Sequence, residues 1–301
     1  MPAIIMDGRE VSRFFRPLLL AQARELADVY GCRPGLAAIL VGDDPASIQY
    51  TRNKRRLAEE LGFTCEIKAM PVAGTDTGKL LDTIDDLNRD DAITGILIQL
   101  PLPGGVDQTR LFDAIDPIKD IDAVGAASVA GVYRGLNPQF VPCTPRGVID
   151  LLKHYGVTTA GKRAVIIGRS DITGKPLAML LAGKHCNATV TWCHRQTREL
   201  KAICQEADIL ISCAGVTGEA GSSLVTADMI KPGACVVDVG FRRLPSGAFS
   251  GDVDFDAVKQ VAGWITPNPG GTGPMTVVAL MQNLIDATRY RLGLARAEYP
   301  R

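Results

Sequence analysis

The chain has 301 residues, a length that predicts two domains at about 150 residues each. Lysine plus arginine number 33 and aspartate plus glutamate number 33, so the formal net charge is zero, which excludes a broad basic surface for nucleic acid or anionic lipid. Hydrophobic residues make up 46% and charged residues 22%, which excludes a disordered chain and a fibrous repeat.

The cysteines and the N-terminal residues predict the compartment. None of the eight cysteines forms a Cys-x-x-Cys pair, which favours a reducing environment. Charges interrupt the apolar residues of the first ten positions, and no stretch reaches the roughly 18 apolar residues of a membrane span. The pairs His185-Cys186 and Cys193-His194 lack standard zinc spacing. We therefore expect a cytoplasmic protein with no metal, no nucleic-acid partner and no membrane partner.

Short apolar runs alternate with segments of helical period through the first hundred residues. This alternation is typical of βα units and predicts an α/β fold with a largely parallel sheet. The predicted strands cover 35–42, 64–70 and 94–99, and the predicted helices cover 11–30, 47–61 and 78–88.

The second half repeats the pattern after a segment of different composition. Residues 125–145 are rich in glycine, proline and alanine, which predicts a crossing between domains. A predicted helix at 144–155 is followed by four predicted strands at intervals of about 20 to 26 residues, a spacing typical of a nucleotide-binding sheet. These strands cover 163–167, 188–192, 208–212 and 234–238.

A final helix is predicted from Met275 to Leu292. Five of its residues share one face: Val278, Met281, Leu284, Ile285 and Thr288. We expect this helix to return to the first domain. The predicted division is therefore 1–143 with 275–301 for one α/β domain and 144–274 for a second, Rossmann-like domain, with a cleft between them.

A glycine turn follows the strand at 163–167. It reads Gly168-Arg169-Ser170-Asp171-Ile172-Thr173-Gly174 and opens a helix, an arrangement that presents backbone N–H groups to a pyrophosphate. An ordinary βα turn gives the same pattern. The next strand ends Cys193-His194-Arg195-Gln196-Thr197-Arg198, without the acid that binds a free ribose hydroxyl. The cations favour NADP over NAD, unless Arg195 and Arg198 are only solvated loop charges.

Ser47, Tyr50 and Lys54 share one face of the helix predicted at 47–61. A buried lysine acts as a base when its pKa is lowered, although a lysine in a basic segment is more often a solvated charge. Short-chain dehydrogenases share a Tyr-x-x-x-Lys pair, but there the glycine turn precedes the pair, whereas Lys54 precedes Gly168. Gln99 and Asp122 stand where strands end, a position that suits either chemistry or the capping of a turn.

Together these segments resemble the bifunctional methylenetetrahydrofolate dehydrogenase/methenyltetrahydrofolate cyclohydrolase family over nearly the whole chain. The resemblance rests on seven blocks in the family's order: 47–54, 99–103, 119–122, 142–145, 168–170, 251–255 and 269–276. It implies NADP-linked oxidation of 5,10-methylenetetrahydrofolate and hydrolysis of the 5,10-methenyl product to 10-formyltetrahydrofolate, a step of one-carbon metabolism that serves purine biosynthesis.

The resemblance also implies roles for the residues of the first domain. Lys54 is the central group of hydrolysis, with a lowered pKa, and Gln99 holds it by a hydrogen bond. Tyr50 stacks on the aromatic part of the substrate, and Asp122 accepts hydrogen bonds from the pterin. Catalysis thus involves Lys54, Gln99, Tyr50 and Asp122.

Further residues implied by the resemblance bind the two ligands. The cofactor residues are Gly168, Arg169, Ser170, Arg195, Thr144 and Gly215, and Pro269, Gly270 and Gly273 join Tyr50 and Asp122 at the folate. A homodimer through the nucleotide domains is implied as well.

The sequence departs from the family's usual pattern at four positions. Asn268 and Thr272 replace common valines, Ala123 replaces a common glycine, and Arg195 replaces a common serine. Two alternatives stay open: a dehydrogenase with weak or absent hydrolysis, and a nucleotide-binding module without turnover.

Overall fold

The computed structural model describes residues 2–135, 139–216, 218, 222–243 and 249–296. Helices and strands alternate along most of the described chain. The strands are β1 (Ile4–Ile5), β2 (Gly35–Val41), β3 (Thr64–Met70), β4 (Gly95–Ile98), β5 (Arg163–Ile167), β6 (Thr189–Cys193), β7 (Ile209–Ser212), β8 (Cys235–Asp238), β9 (Arg242–Arg243), β10 (Phe249–Ser250) and β11 (Trp264–Ile265).

The described residues contain ten α-helices. They are α1 (Gly8–Tyr30), α2 (Pro45–Glu60), α3 (Thr77–Arg89), α4 (Gln108–Ala114), α5 (Ala126–Arg134), α6 (Cys143–His154), α7 (Gly174–Ala182), α8 (Leu200–Gln205), α9 (Phe255–Val258) and α10 (Thr272–Arg291). None of the helices in the described ranges has the length and apolar character that a membrane crossing requires.

The chain divides into two compact units. A six-stranded unit comprises Met1–Arg13 with Thr144–Thr276, and a three-stranded unit comprises Phe14–Cys143 with Val277–Arg301. The division differs from the expected one at residues 1–13 and at residues 275–276, all of which were assigned to the first domain. Ile4 and Ile5 of β1 pair in parallel with β11, so this segment belongs with the six-stranded sheet.

The six-stranded unit is a doubly wound parallel sheet. Its strand order is β1-β11-β8-β7-β5-β6, so the chain leaves β5 toward β6 on one side and later returns to β7 on the other. The neighbouring β5 and β7 therefore form the topological switch point at which such sheets bind ligands. Val165, Leu210 and Val236 of the central strands belong to its buried core.

The three-stranded unit has the parallel order β3-β2-β4. Every residue of β2 and β4 is buried, which agrees with their uninterrupted apolar sequences. The last helix, α10, is buried on more than the expected face. Its five predicted face residues are buried, but so are Gln282, Asn283 and Asp286.

The segment at 125–145, expected as the crossing between domains, contains the boundary between the two units at residues 143–144 and also a helix that was not predicted. It contains α5 and the start of α6, while residues 136–138 lie outside the described residues. Gly135, in the left-handed conformation, ends α5, and the helix buries only Ser128 and Val132. So short a buried stripe gives little periodic signal, which is why helix α5 was not predicted from the sequence.

Candidate active site and nucleotide site

Helix α2 places Tyr50 and Lys54 one turn apart. Asp44 caps the helix by accepting a hydrogen bond from the Ser47 N–H, and Pro45 occupies its first turn. Thr51 Oγ1 donates to the carbonyl of Ser47, inside the same buried face. The expected helix and the expected spacing on one face are therefore present.

Gln99 fixes the amine of Lys54. It follows β4 directly, and its N–H donates to the carbonyl of Ile39 on the neighbouring β2. Its side-chain Nε2 donates to the carbonyl of Leu100 at 2.8 Å, which turns Oε1 toward Lys54. Lys54 Nζ donates to that oxygen at 2.9 Å. The hydrogen bond expected between Lys54 and Gln99 is present, and the amide can accept from either protonation state of the amine.

Burial controls the charge on Lys54. Loss of solvation lowers the pKa of its amine, and the negative charges of Asp122 and Cys143, when ionised, oppose that shift. Burial also raises the pKa of the neighbouring Tyr50. The site therefore contains an amine that loses its proton more readily than an ordinary lysine and a phenol that keeps its proton.

The segment that carries Asp122 is held from two sides. The Ile121 carbonyl, next to Asp122, accepts from Asn283 Nδ2 at 2.8 Å and from Cys143 Sγ at 3.3 Å. The Asp120 carboxylate accepts from the N–H groups of 124 and 125 and from Ser128 Oγ. Asp122 is thereby fixed near Lys54 by backbone anchors on both flanks.

Lys119 begins the same segment and is a structural amine. Its buried Nζ donates to three carbonyls at the end of α3, those of Leu87, Asn88 and Asp90, at 2.7 to 2.9 Å. At the other end of the segment, Ala123 has a φ of 56°. That left-handed conformation suits the glycine that the family commonly has there.

The glycine turn lies at the switch point of the six-stranded sheet. Gly168 has a φ of 123°, and a Cβ built on it would lie 2.7 to 2.9 Å from the backbone and sulfur of Cys213. The loops that follow β5 and β7 therefore touch through a position that only glycine can occupy. Ser170 Oγ accepts from the N–H of Gly174, where α7 begins. These contacts form the tight strand-to-helix turn that a pyrophosphate requires.

Three arginines follow the ends of the paired strands β5 and β6, where Ile167 lies opposite Cys193. Arg169, Arg195 and Arg198 are exposed, and within the described residues none of them forms an ion pair. Exposed cations with this placement fit a 2′-phosphate, although exposure is also what solvated loop charges have. Gly215 follows β7 in the loop that touches Gly168.

A chain of hydrogen bonds connects Thr144 to the end of β8. Thr144 Oγ1 lies 3.1 Å from Thr276 Oγ1, Thr276 Oγ1 donates to the carbonyl of Thr272, and Thr272 Oγ1 donates to the carbonyl of Asp238. The glycine-rich residues precede or begin α10. Pro269 is exposed, Gly270 is buried with a φ of 116°, and a Cβ on Gly273 would meet no atom of the described residues within 4 Å.

Two domain models match nearly the whole chain. The tetrahydrofolate dehydrogenase/cyclohydrolase catalytic domain matches residues 6–122, and the NAD(P)-binding domain of the same enzymes matches residues 142–292. The chain belongs to the tetrahydrofolate dehydrogenase/cyclohydrolase family. The family resemblance read from the sequence blocks is thus confirmed, as is the α/β fold with a nucleotide-binding domain.

Relatives and solved structures of the family agree along their full length. The bifunctional protein FolD of Moorella thermoacetica is 46% identical over 289 residues, which are 96% of this chain and 100% of the relative. The bifunctional enzyme FolD of Campylobacter jejuni superposes with a TM-score of 0.90 at 39% identity, covering 96% of this chain and 99% of that chain.

A further family structure contains the cofactor. The Trypanosoma brucei methylenetetrahydrofolate dehydrogenase-cyclohydrolase, complexed with NADP and an inhibitor, has a TM-score of 0.91 at 36% identity and covers 97% of this chain and 99% of that chain. In the present chain, the glycine turn after β5 and the three exposed arginines fit the same cofactor.

Sequence reasoning missed several buried polar residues of the two units. Asn283 holds the Asp122 segment from α10, and no local pattern distinguishes it within an apolar helix. Asp238 ends a predicted strand and Asp252 lies within one of the seven blocks, yet no role was predicted for either of these buried acids. Among the residues with a described position, no group of three or more His, Cys, Asp or Glu side chains could hold a metal ion.

Proposed function

We propose that this protein oxidises 5,10-methylenetetrahydrofolate to the 5,10-methenyl cation with NADP and then hydrolyses that cation to 10-formyltetrahydrofolate. The observation that carries the proposal is the Lys54 amine, which has a lowered pKa and lies within hydrogen-bonding distance of Gln99 in a chain of this family. The product carries the one-carbon unit in the form that purine biosynthesis consumes.

NADP, when bound, accepts the hydride of the bridging methylene group. The residues that would hold it are the glycine turn with Arg169, Ser170 and Arg195, supported by Thr144 and Gly215. The six-stranded unit is thus the NADP-binding domain of the proposal, and the three-stranded unit is its folate-binding catalytic domain.

Hydrolysis depends on the proton that Lys54 can accept. Attack of water on the cationic carbon forms a carbon–oxygen bond and releases a proton, and a neutral amine takes up that proton better than an ammonium group. Collapse of the adduct then breaks the bond from that carbon to N5, as the hydroxyl loses its proton and N5 gains one, and the carbon stays on N10 as the formyl group. Tyr50 stacks on the substrate, and Asp122 accepts hydrogen bonds from the pterin edge. Pro269, Gly270 and Gly273 complete the folate site in this proposal.

One spectrophotometric assay separates the possible outcomes. NADPH formation from 5,10-methylenetetrahydrofolate reports oxidation, and the loss of methenyl absorbance reports hydrolysis. Lys54→Met should lower the hydrolysis rate by about 100-fold or more, because it removes the proton acceptor. NADPH formation should fall less. Lys79→Met, at an exposed position on α3, is the matched control and should leave both rates unchanged.

Three results would change the proposal. Oxidation without measurable hydrolysis would identify a dehydrogenase alone, and no reduction of NADP or NAD would leave a nucleotide-binding module. Unchanged hydrolysis in Lys54→Met would remove Lys54 from its role. We also propose that the protein is a homodimer, which light scattering on the same preparation tests. We propose a cytoplasmic location, which fractionation of cells tests.

A further inference from the structure

Two buried carboxylates lie beside the ends of the neighbouring strands β7 and β8 in the six-stranded unit. Asp238 is the last residue of β8 and is paired in register with Ser212, the last residue of β7. Asp252 reaches the same edge from the turn that follows β10. Their residues are 3% and 0% exposed, and the proposed chemistry uses neither of them.

The carboxylate of Asp252 accepts hydrogen bonds from the end of β7 and from the loop that follows it. Its Oδ2 accepts from Ser212 Oγ at 2.7 Å, from the Ala214 N–H at 2.9 Å and from the Gly215 N–H at 3.2 Å. Its Oδ1 accepts from the Val216 N–H at 3.2 Å. Three successive N–H groups of the loop thus point inward to one carboxylate, which fixes their peptide planes.

The carboxylate of Asp252 has room only because residue 240 is a glycine. A Cβ on Gly240, in the loop after β8, would lie 2.1 to 2.3 Å from the carboxyl group of Asp252. Any residue larger than glycine would displace the acid from the loop that it holds. The two loops after β7 and β8 are therefore built around the carboxylate of Asp252.

Asp238 in turn holds Asp252. Its Oδ1 accepts from the N–H groups of Gly240 and Asp252, each at 3.0 Å, and its Oδ2 accepts from the Val253 N–H at 3.1 Å. Asn268 Nδ2 donates to the carbonyl of Gly240 at 2.6 Å. The bonds from Asp238 thus fix the backbone at Asp252, and the Asp252 side chain extends from that fixed point to loop 213–216.

We infer that Asp252 is a positioning residue for the nucleotide, because it sets the conformation of loop 213–216 at the switch point where that loop touches Gly168. The inference rests on the proposed place of Gly215 in the cofactor site. A loop held in one conformation before binding avoids the entropy cost of ordering it on binding, so the affinity for NADP depends on Asp252. Turnover of bound NADP depends on it less.

The test substitutes the acceptor and measures nucleotide affinity. Asp252→Asn keeps the shape but replaces one acceptor oxygen with a donor that faces N–H groups. We expect the Kd for NADP, measured by calorimetry, to rise by about tenfold or more, the equivalent of roughly 1.4 kcal/mol. At saturating NADP, kcat should change by no more than about threefold, because the charges and contacts of Lys54 are unaltered.

Asp254→Asn is the matched control. Asp254 lies two residues further on and caps α9 by accepting the Ala257 N–H, so the same chemical change costs some stability without touching loop 213–216. Its Kd for NADP should equal that of the wild type. An equal rise in both variants would show a general loss of structure and would overturn the inference.

Ser212→Ala tests the role of Asp252 if Asp252→Asn fails to fold. It removes one of the four donors to Asp252 and keeps the carboxylate, so we expect a Kd about threefold higher. An unchanged Kd in every folded variant of Ser212 and Asp252, with NADP binding normally to the wild type, would overturn the inference alone. A wild type that binds no NADP would overturn the proposed function together with it.

Discussion

Gln99 tests whether hydrolysis depends on a neutral Lys54. The Gln99→Glu substitution keeps the size of the side chain and replaces a neutral amide with a carboxylate 2.9 Å from the amine. A negative charge at that distance favours the protonated amine, so the pKa of Lys54 must rise. Since hydrolysis uses the neutral amine, the rate at neutral pH should fall and should recover as the pH is raised.

The geometry gives the size of the effect. Coulomb's law for two unit charges 2.9 Å apart, with an effective dielectric constant of about 20, gives an attraction of about 6 kcal/mol. The cost of burying the new carboxylate opposes this attraction. A quarter of it, about 1.4 kcal/mol, is enough for a tenfold loss of the neutral amine. We therefore expect hydrolysis at pH 7 to fall by about tenfold or more.

The assay is the pH profile of methenyl hydrolysis, with two further variants for comparison. Gln99→Met removes the hydrogen bond without adding charge, so it should lower the rate without moving the profile to higher pH. Asp122→Asn removes the charge that raises the pKa of Lys54 and should move the profile to lower pH. A Gln99→Glu profile that coincides with that of Gln99→Met would refute the assignment of Lys54 as the proton acceptor.

Three more predictions follow from other positions. Ala123→Gly should raise the free energy of unfolding by about 1 kcal/mol in urea titrations, because residue 123 has a φ of 56°. Arg195→Ser should raise the KM for NADP by about tenfold and leave that for NAD unchanged, because only NADP carries a 2′-phosphate. Burial raises the pKa of Asp238 from 3.8 to about 6, so the folded state binds more protons than the unfolded state between those values. Relative to Asp238→Asn, the wild type should therefore lose about 2 kcal/mol of stability as the pH rises from about 4 to 6.

The sequence predicts those elements whose signal is local. Strands β3 and β5 begin and end at the predicted residues, since β3 alternates polar and apolar residues, β5 is an apolar run after Arg163, and turn residues bound both. Strand β1 was missed because two residues form it, and their pairing with β11 spans almost the whole chain. Helix α5 was missed because the small residues alanine, glycine and serine supply five of its nine positions and only two of its side chains are buried.

The site residues also differ in whether a local sequence pattern predicts them. The spacing of Tyr50 and Lys54 on one helix face was readable from the sequence, and the position of Gln99 at a strand end made it a candidate. Asp122 needed the family resemblance, since an acid beside a turn usually caps it. The anchor provided by Asn283, whose amide bonds the carbonyl of Ile121 from 162 positions away, has no signal in a single sequence.

Each unit uses one buried carboxylate to hold a loop beside a parallel strand. Asp120 accepts the N–H groups of 124 and 125, and Asp252 accepts those of 214, 215 and 216. Loops at such ends leave the sheet ladder, so their N–H groups need acceptors, and a carboxylate offers up to four lone pairs in a small volume. Asp122 stands two positions after Asp120, and Gly215 bonds to Asp252 directly. The groups proposed to meet the two ligands are thus fixed by acids that need not touch either ligand. Changes at these acids should therefore reduce ligand affinity before they reduce turnover.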